Sequence, residues 1–259
     1  MESASAVADT LWEARRGERP GGSMRTAVDP ASVVICAELP TGMTAAARAA
    51  WGRHAAGRRC PVTWAADPET IAAAGAVAAQ DEFALAIAPE WLESKRTLRE
   101  RIATARQALP GLAAAVLRGP RPLDHHALLA AEGIRIVVVD AFGPEPRGSR
   151  RPAPAGWACR LPVWGLWEVR AAPRESRGLW GWLNGPLSQL RPGSLRILRV
   201  GKVPMGPSGP VSTRLDRYAA WAERRQTGQR ARVVGLSDLA TTLAGGGEPP
   251  LTGSILKAA

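Results

Sequence analysis

Eight short apolar runs, each about the length of one buried strand, recur between residues 32 and 236 with longer helical patterns between them. They are "SVVICAEL" (32–39), "PVTWAA" (61–66), "EFALAIA" (82–88), "LAAAVL" (112–117), "IRIVVVD" (134–140), "ACRLPVW" (158–164), "SLRILRV" (194–200) and "ARVVGL" (231–236). They are continuously apolar instead of alternating, the pattern of strands covered on both faces, as in a parallel sheet. The helical segments between them fit that arrangement. In "ESKRTLRERIATARQALPG" the residues Leu98, Ile102, Ala105 and Leu109 form one apolar face, and Pro110-Gly111 stops the helix. In "DPETIAAAGAVAA", Asp67 is placed to cap and Pro68 to occupy the first helical position. In "STRLDRYAAWAERRQTGQ", Leu215, Tyr218 and Trp221/Ala222 make one stripe that ends near Gly228. This alternation predicts an α/β fold, a distorted (β/α) barrel with 7–8 parallel strands over residues 31–245. An open doubly wound sheet is the competing topology, and no GxGxxG follows the first strand to support a dinucleotide site.

Residues 1–30 are polar, contain "RPGGS" and read as a flexible N-terminal tail; residues 246–259 read as a C-terminal tail. Two loops stand out. "AFGPEPRGSRRPAPAGW" (141–157) follows the fifth run, and "VGKVPMGPSGPVS" (200–212) follows the seventh. In a barrel both would hang over the C-terminal face, where active sites lie.

Charge is the most unusual bulk property: 34 basic against 23 acidic residues give +11, and almost all the cations are arginine. Such a surface would favour nucleic acid, anionic lipid or an acidic polymer. The same chain is rich in Ala, Gly, Pro and Trp and nearly without Tyr and Phe, as strong GC bias would produce. No nucleic-acid-binding motif accompanies the charge. Cys36, Cys60 and Cys159 are widely spaced and form no CxxC pair, so free, mostly buried thiols are expected. Charges interrupt the start of the chain where a signal peptide needs an apolar stretch, and no segment approaches a membrane span. The expectation is a reduced, cytoplasmic, soluble protein.

Two of the three histidines, His125 and His126, are adjacent. Asp124 precedes them, so "LDHHALLAAEG" reads as an N-capped short helix closed by Gly133. Neighbours on a helix point about 100° apart, so the two cannot chelate one ion without ligands from elsewhere. They read as structural or solvated, and His54 in "WGRHAAGRR" reads the same way.

Three segments, "LRGPRPLDHHALLAAEGIRIVVVD", "LRPGSLRILRVG" and "RLDRYAAWAERRQTGQRARVVGLSDLA", taken in that order, resemble the NodB-type polysaccharide deacetylases of carbohydrate esterase family 4. The resemblance covers about residues 31–245. It implies a distorted barrel in which an Asp and two His hold a divalent metal, a second Asp acts as base and a late His as acid. The residues here depart from that pattern. The Asp-Asp motif falls on "CAELP", where only Glu38 is acidic; no histidine lies between Phe83 and Trp91; and Arg199 stands where the late His belongs. Arginine stays charged and cannot cycle a proton near neutral pH. Arg118 with Pro120 matches the arginine–proline motif, and Asp140 ends the fifth run. The resemblance therefore implies the fold without the metal and without the deacetylase chemistry.

Other clusters have ordinary readings beside functional ones. Trp157, Trp164, Trp167, Trp180 and Trp182 could stack on sugars or form an exposed patch around "GLWEV", but tryptophan is also a large core residue. Arg147, Arg150 and Arg151 sit in the long loop, and with Arg118 and Arg199 they would give the mouth a positive field suited to carboxylate or phosphate. The expected role is a binding or regulatory protein for a carbohydrate-like or anionic ligand, with Arg118, Arg199, Trp157, Arg150 and Arg151 as its contacts and no cofactor. The alternative is an atypical hydrolase using Glu38, Arg118 and Asp140, with His125 as a further candidate, and with a divalent metal such as zinc. A third reading is a basic nucleic-acid-associated protein; a protein partner also remains open.

Overall fold

The protein is described by a computed structural model at residues 30–74, 80–118, 125–139, 158–171, 187, 190–206 and 209–245. The strands are β1 (Ala31–Glu38), β2 (Thr63–Ala66), β3 (Glu82–Ile87), β4 (Ala114–Leu117), β5 (Ile136–Val139), β6 (Ala158–Leu161), β7 (Leu166–Arg170), β8 (Leu195–Lys202), β9 (Met205–Gly206), β10 (Gly209–Pro210) and β11 (Ala231–Val233). The α-helices are α1 (Ala45–Ala56), α2 (Pro68–Ala74), α3 (Lys95–Ala108), α4 (His126–Ala131), α5 (Thr213–Thr227) and α6 (Leu236–Gly245).

β1 is the hub of one curled, mostly parallel sheet that forms a half-barrel. One edge of β1 pairs with β8 from Ser32 to Glu38. The other edge is shared, with β11 beside Ala31–Val33 and β2 beside Cys36–Glu38. From β2 the sheet continues through β3, β4, β5 and β7 to β6. Every pair in this sheet is parallel except β6–β7. The expected α/β class and set of parallel strands are present, with one change of assignment. The run 158–164 yields the antiparallel strand β6, and the parallel neighbour of β5 is Leu166–Arg170, the segment the sequence suggested as an aromatic patch. The reason is chain length: residues 162–165, turning at Gly165 with φ of +63°, are too few for a parallel crossover. A small hairpin of β9 and β10 lies apart from the main sheet.

Asp67 caps α2 as the sequence placed it, Ser94 and Ser212 cap α3 and α5, and α4 has His125 at its N-cap position instead of Asp124. Asp67 Oδ1 accepts from the Thr70 amide at 2.7 Å, Ser94 Oγ from Thr97 at 3.3 Å and Ser212 Oγ from Leu215 at 3.2 Å. Gly133, at φ +78°, follows α4 in the left-handed region that glycine tolerates best. The stripes face the core as their spacing demands: Leu98, Ile102 and Ala105 on α3, and Leu215, Tyr218, Trp221 and Ala222 on α5.

Alternate residues of the strands feed two apolar clusters. The outer one joins Val33, Ile35, Trp64, Leu85, Leu117 and Val137 to residues of helices α1 to α5. The inner one is narrower: Val34, Cys36, Ala65, Ala84, Ala86, Ala114 and Val116, with Leu236, Leu239 and Ala240 of α6 against it. Alanines on the inner face leave room for α6. Its start is held by Glu82 at the beginning of β3, whose carboxylate accepts from the Leu236 amide and from the Ser237 amide at 3.1 and 3.2 Å. Thr63 Oγ1 donates to Glu82 at 2.7 Å and accepts from Leu236 at 3.2 Å. An acid beside the first turn of a helix also complements its dipole.

A buried acid, Asp81, ties the segment after α1 to the sheet. Asp81, with no side-chain exposure, is ion-paired to Arg58 and accepts from the Val62 amide at 3.0 Å and Trp64 Nε1 at 2.8 Å. The Arg58 guanidinium lies 4.9 Å from the Trp64 ring, and Trp64 meets Trp51 edge-on at 5.6 Å.

Candidate functional site

Three residues singled out from the sequence converge at the carboxyl end of the sheet, although 80 and 161 positions separate Glu38 from Arg118 and Arg199. Glu38 ends β1, on the inner face by alternation with Val34 and Cys36. Arg118 follows β4 directly, and its amide donates to Ile87 O at 3.0 Å, which extends the β3–β4 ladder and fixes its backbone. Arg199 lies on β8, two residues after Ile197 of the inner cluster and in register with Cys36. Arg118 Nε stands 3.1 Å and Arg199 Nη2 3.3 Å from the same carboxylate oxygen, Oε1 of Glu38. The side chains of Arg118, Glu38 and Arg199 are 19%, 10% and 5% exposed.

Among the described residues, one carboxylate is shared by two guanidiniums at a poorly solvated position. Arg118 spends its Nε on Glu38 while its Nη2 is buried without a hydrogen-bond partner. A buried, unsatisfied donor costs about 1–3 kcal/mol, more when charged. An anion that offers an acceptor to such a donor recovers that cost, and guanidinium suits carboxylate or phosphate. Below the arginines lies Cys36, whose thiol is pushed up to about 12 by burial, with Arg199 pulling the other way. Burial likewise raises Cys60, to about 11. Cys159, on the edge strand β6, is partly exposed. A short treatment of the native protein with iodoacetamide at pH 8 is therefore expected to alkylate Cys159 and spare Cys36 and Cys60. Peptide mass spectrometry reads this, and alkylated Cys36 in folded protein would contradict the burial argument.

The adjacent histidines belong elsewhere. His126 is 2% exposed on α4, within the outer helical layer. Its Nε2 is 3.6 Å from Oε2 of the fully buried Glu168, and its ring stacks on Trp164 at a centroid distance of 5.4 Å. Glu168 is a residue the sequence reading missed. It lies on β7, the strand read as an aromatic patch, and the alternation in "LWEVR" was the available signal. Trp167 and Val169 point to the inner cluster, so Glu168 between them points outward to α4. His125 stands at the N-cap of α4 and makes no side-chain capping bond. His54 lies in the last turn of α1, its pKa lowered by burial and by Arg58. Asp124, Asp140, Arg147, Arg150, Arg151, Trp157, Trp180 and Trp182 lie outside the described residues.

The described donors do not fit a divalent cation at the mouth. Among the described residues no three of His, Cys, Asp and Glu cluster to hold one, and the single carboxylate at the mouth is already shared by two cations. Among the described residues no helix is long and apolar enough to cross a membrane.

Fold and site together define a class: a parallel α/β half-barrel whose strand-end mouth carries an Arg–Glu–Arg cluster. No family model and no curated protein matches the chain. Among solved structures, a crystal structure from Mycobacterium smegmatis, provisionally described as a polysaccharide deacetylase, aligns with a TM-score of 0.49. The alignment has 12% identity and covers 85% of this chain and 92% of that one.

Proposed function

We propose that this chain is a ligand-binding protein that holds an anionic group at the strand-end mouth and does not perform metal-dependent deacetylation. The observation that carries this reading is the Glu38 carboxylate shared by Arg118 and Arg199, with Arg118 Nη2 buried and unmatched beside it. The buried Arg118 Nη2 offers a charged donor to an acidic acceptor, and the low exposure of the cluster strengthens such a contact. The deacetylase pattern that the sequence resembles requires a carboxylate and imidazoles around a metal. Here the corresponding mouth presents cations, which suit an acidic ligand better than an acetamide. A carbohydrate carrying a carboxylate satisfies both the resemblance and the charge.

Isothermal titration with galacturonate, acetate and neutral galactose tests this. Galacturonate is expected to bind where galactose does not, and Arg118→Gln is expected to weaken it at least about tenfold, the value of one charged hydrogen bond. Equal binding of galactose, or unchanged affinity in Arg118→Gln, would overturn the reading. So would acetate release from N-acetylglucosamine oligomers that Glu38→Gln abolishes, since that result would make the chain a hydrolase.

A further inference from the structure

We infer that the β9–β10 hairpin is a strap that acid releases: it lies docked on α1 beside His54 while that imidazole is neutral, and protonation of His54 frees it. The hairpin follows β8 and leads into α5, and its anchorage is slight. Each strand has two residues, with Gly209 opposite Gly206 and Pro210 opposite Met205. A hairpin this short is marginal unless it packs on something else. The Val211 amide closes it on Pro204 O at 2.8 Å, and the Val203 amide ties its base to Glu38 O at 2.9 Å. Met205 adds a partly buried contact with the outer cluster. The hairpin also rests on α1. Gly209 approaches that helix so closely that a β carbon there would stand 3.1 Å from His54 Cβ and 3.2 Å from Ala50 O. Its φ of +121° is a conformation that side chains seldom adopt, so both the backbone and the contact call for glycine.

His54 is the group on which this contact turns. Its Nε2 is buried without a hydrogen-bond partner. Burial and the Arg58 guanidinium hold its pKa below the ordinary value of about 6.5, and Asp216 of α5 and Asp81 pull less strongly the other way. Arg53, beside it on α1, is exposed, and residues 203–211 carry no ionisable side chain. The carbonyl end of α1 favours a cation, but the Gly57 amide already donates to the Arg53 and His54 carbonyls. An imidazolium at this place therefore needs water. Arg58 is fixed by its ion pair with Asp81, whereas the hairpin can move away by giving up a few contacts. With the pKa lower in the docked state, docking is fully favoured above about 6.5 and weakens as the pH falls below it. Because Glu38 O holds the Val203 amide, release also loosens the end of β8 next to the mouth.

Hydrogen exchange of the full chain between pH 7.5 and 5.0, read by mass spectrometry of peptides spanning 200–212, tests this. With labelling times scaled for the intrinsic rates, the hairpin amides, Val203 and Val211 among them, are expected to exchange at least about threefold faster at pH 5.0. Peptides from β3 should stay unchanged over the same range. His54→Gln cannot gain the charge and should exchange equally at both values. Gly209→Ala should exchange fast at both, because the added β carbon breaks the contact with α1. In the wild type, the midpoint of the exchange change should coincide with the titration of the His54 ring proton read by NMR, below about 6.5. No pH effect in the wild type, an effect that survives His54→Gln, or a rise shared by β3 would overturn the strap. Slow exchange in Gly209→Ala would overturn it too, by showing that the contact with α1 does not hold the hairpin.

Discussion

Asp81→Ala is expected to lower unfolding stability by about 4 kcal/mol, within the range for removing one partner from a buried ion pair. The side chain has no exposure, and its loss strands three donors: the Arg58 guanidinium, the Val62 amide and Trp64 Nε1. Arg58 is only 8% exposed and cannot turn to water without leaving the Trp64 ring. The dominant cost is a charge left unpaired in a poorly solvated place. Asp81→Asn retains an acceptor oxygen and should cost less. Arg58→Met added to Asp81→Ala should recover part of the loss, because it removes the stranded charge. Urea unfolding of the four proteins measures this. A loss under about 1 kcal/mol for Asp81→Ala would mean that the pair is solvated in the folded protein.

Glu38→Ala should cost about 3 kcal/mol and lower Tm by roughly 6–12 °C, taking 2–4 °C per kcal/mol for a domain of this size. It removes the carboxylate that Arg118 and Arg199 share. Unlike Asp81, whose side chain is fully buried, Glu38 keeps 10% side-chain exposure at the end of β1, and the variant is accordingly rescuable. Phosphate that occupies the vacated position binds only the folded chain and stabilises it by mass action, about 2.7 kcal/mol at a hundredfold excess over Kd. The Tm of Glu38→Ala should therefore rise with phosphate more steeply than that of the wild type. Parallel rises in the two proteins, or no initial loss, would show that the carboxylate is not the counter-ion of the two arginines. Glu38→Gln should fall between, since it keeps an acceptor and loses the charge.

The legibility of the chain differed by element. β1 to β5 and α3 were readable because local pattern and burial agree there: continuous apolar runs lie inside a covered sheet, and Leu98, Ile102 and Ala105 face its outer side. β7 was not readable. "LWEVR" places a buried acid in a strand, and that acid lies beside His126, which approaches from a helix 42 positions earlier by residue number. The histidine pair read as structural or solvated, and tertiary packing places His126 at the back of the sheet. Cys36, by contrast, behaves as its apolar run suggested, with burial keeping the thiol protonated.

The sequence by itself determined the start of α2, the parallel α/β class and the absence of the imidazoles that the resemblance requires, because capping, periodicity and residue identity are local properties. It also named Glu38, Arg118 and Arg199 one at a time. Only the tertiary structure decided that the three share one carboxylate oxygen and that a bulge substitutes Lys202 for Gly201 opposite Glu38. Charge balance at a site depends on distances between strands remote in the chain, and a one-residue slip in register redirects a side chain to the opposite face.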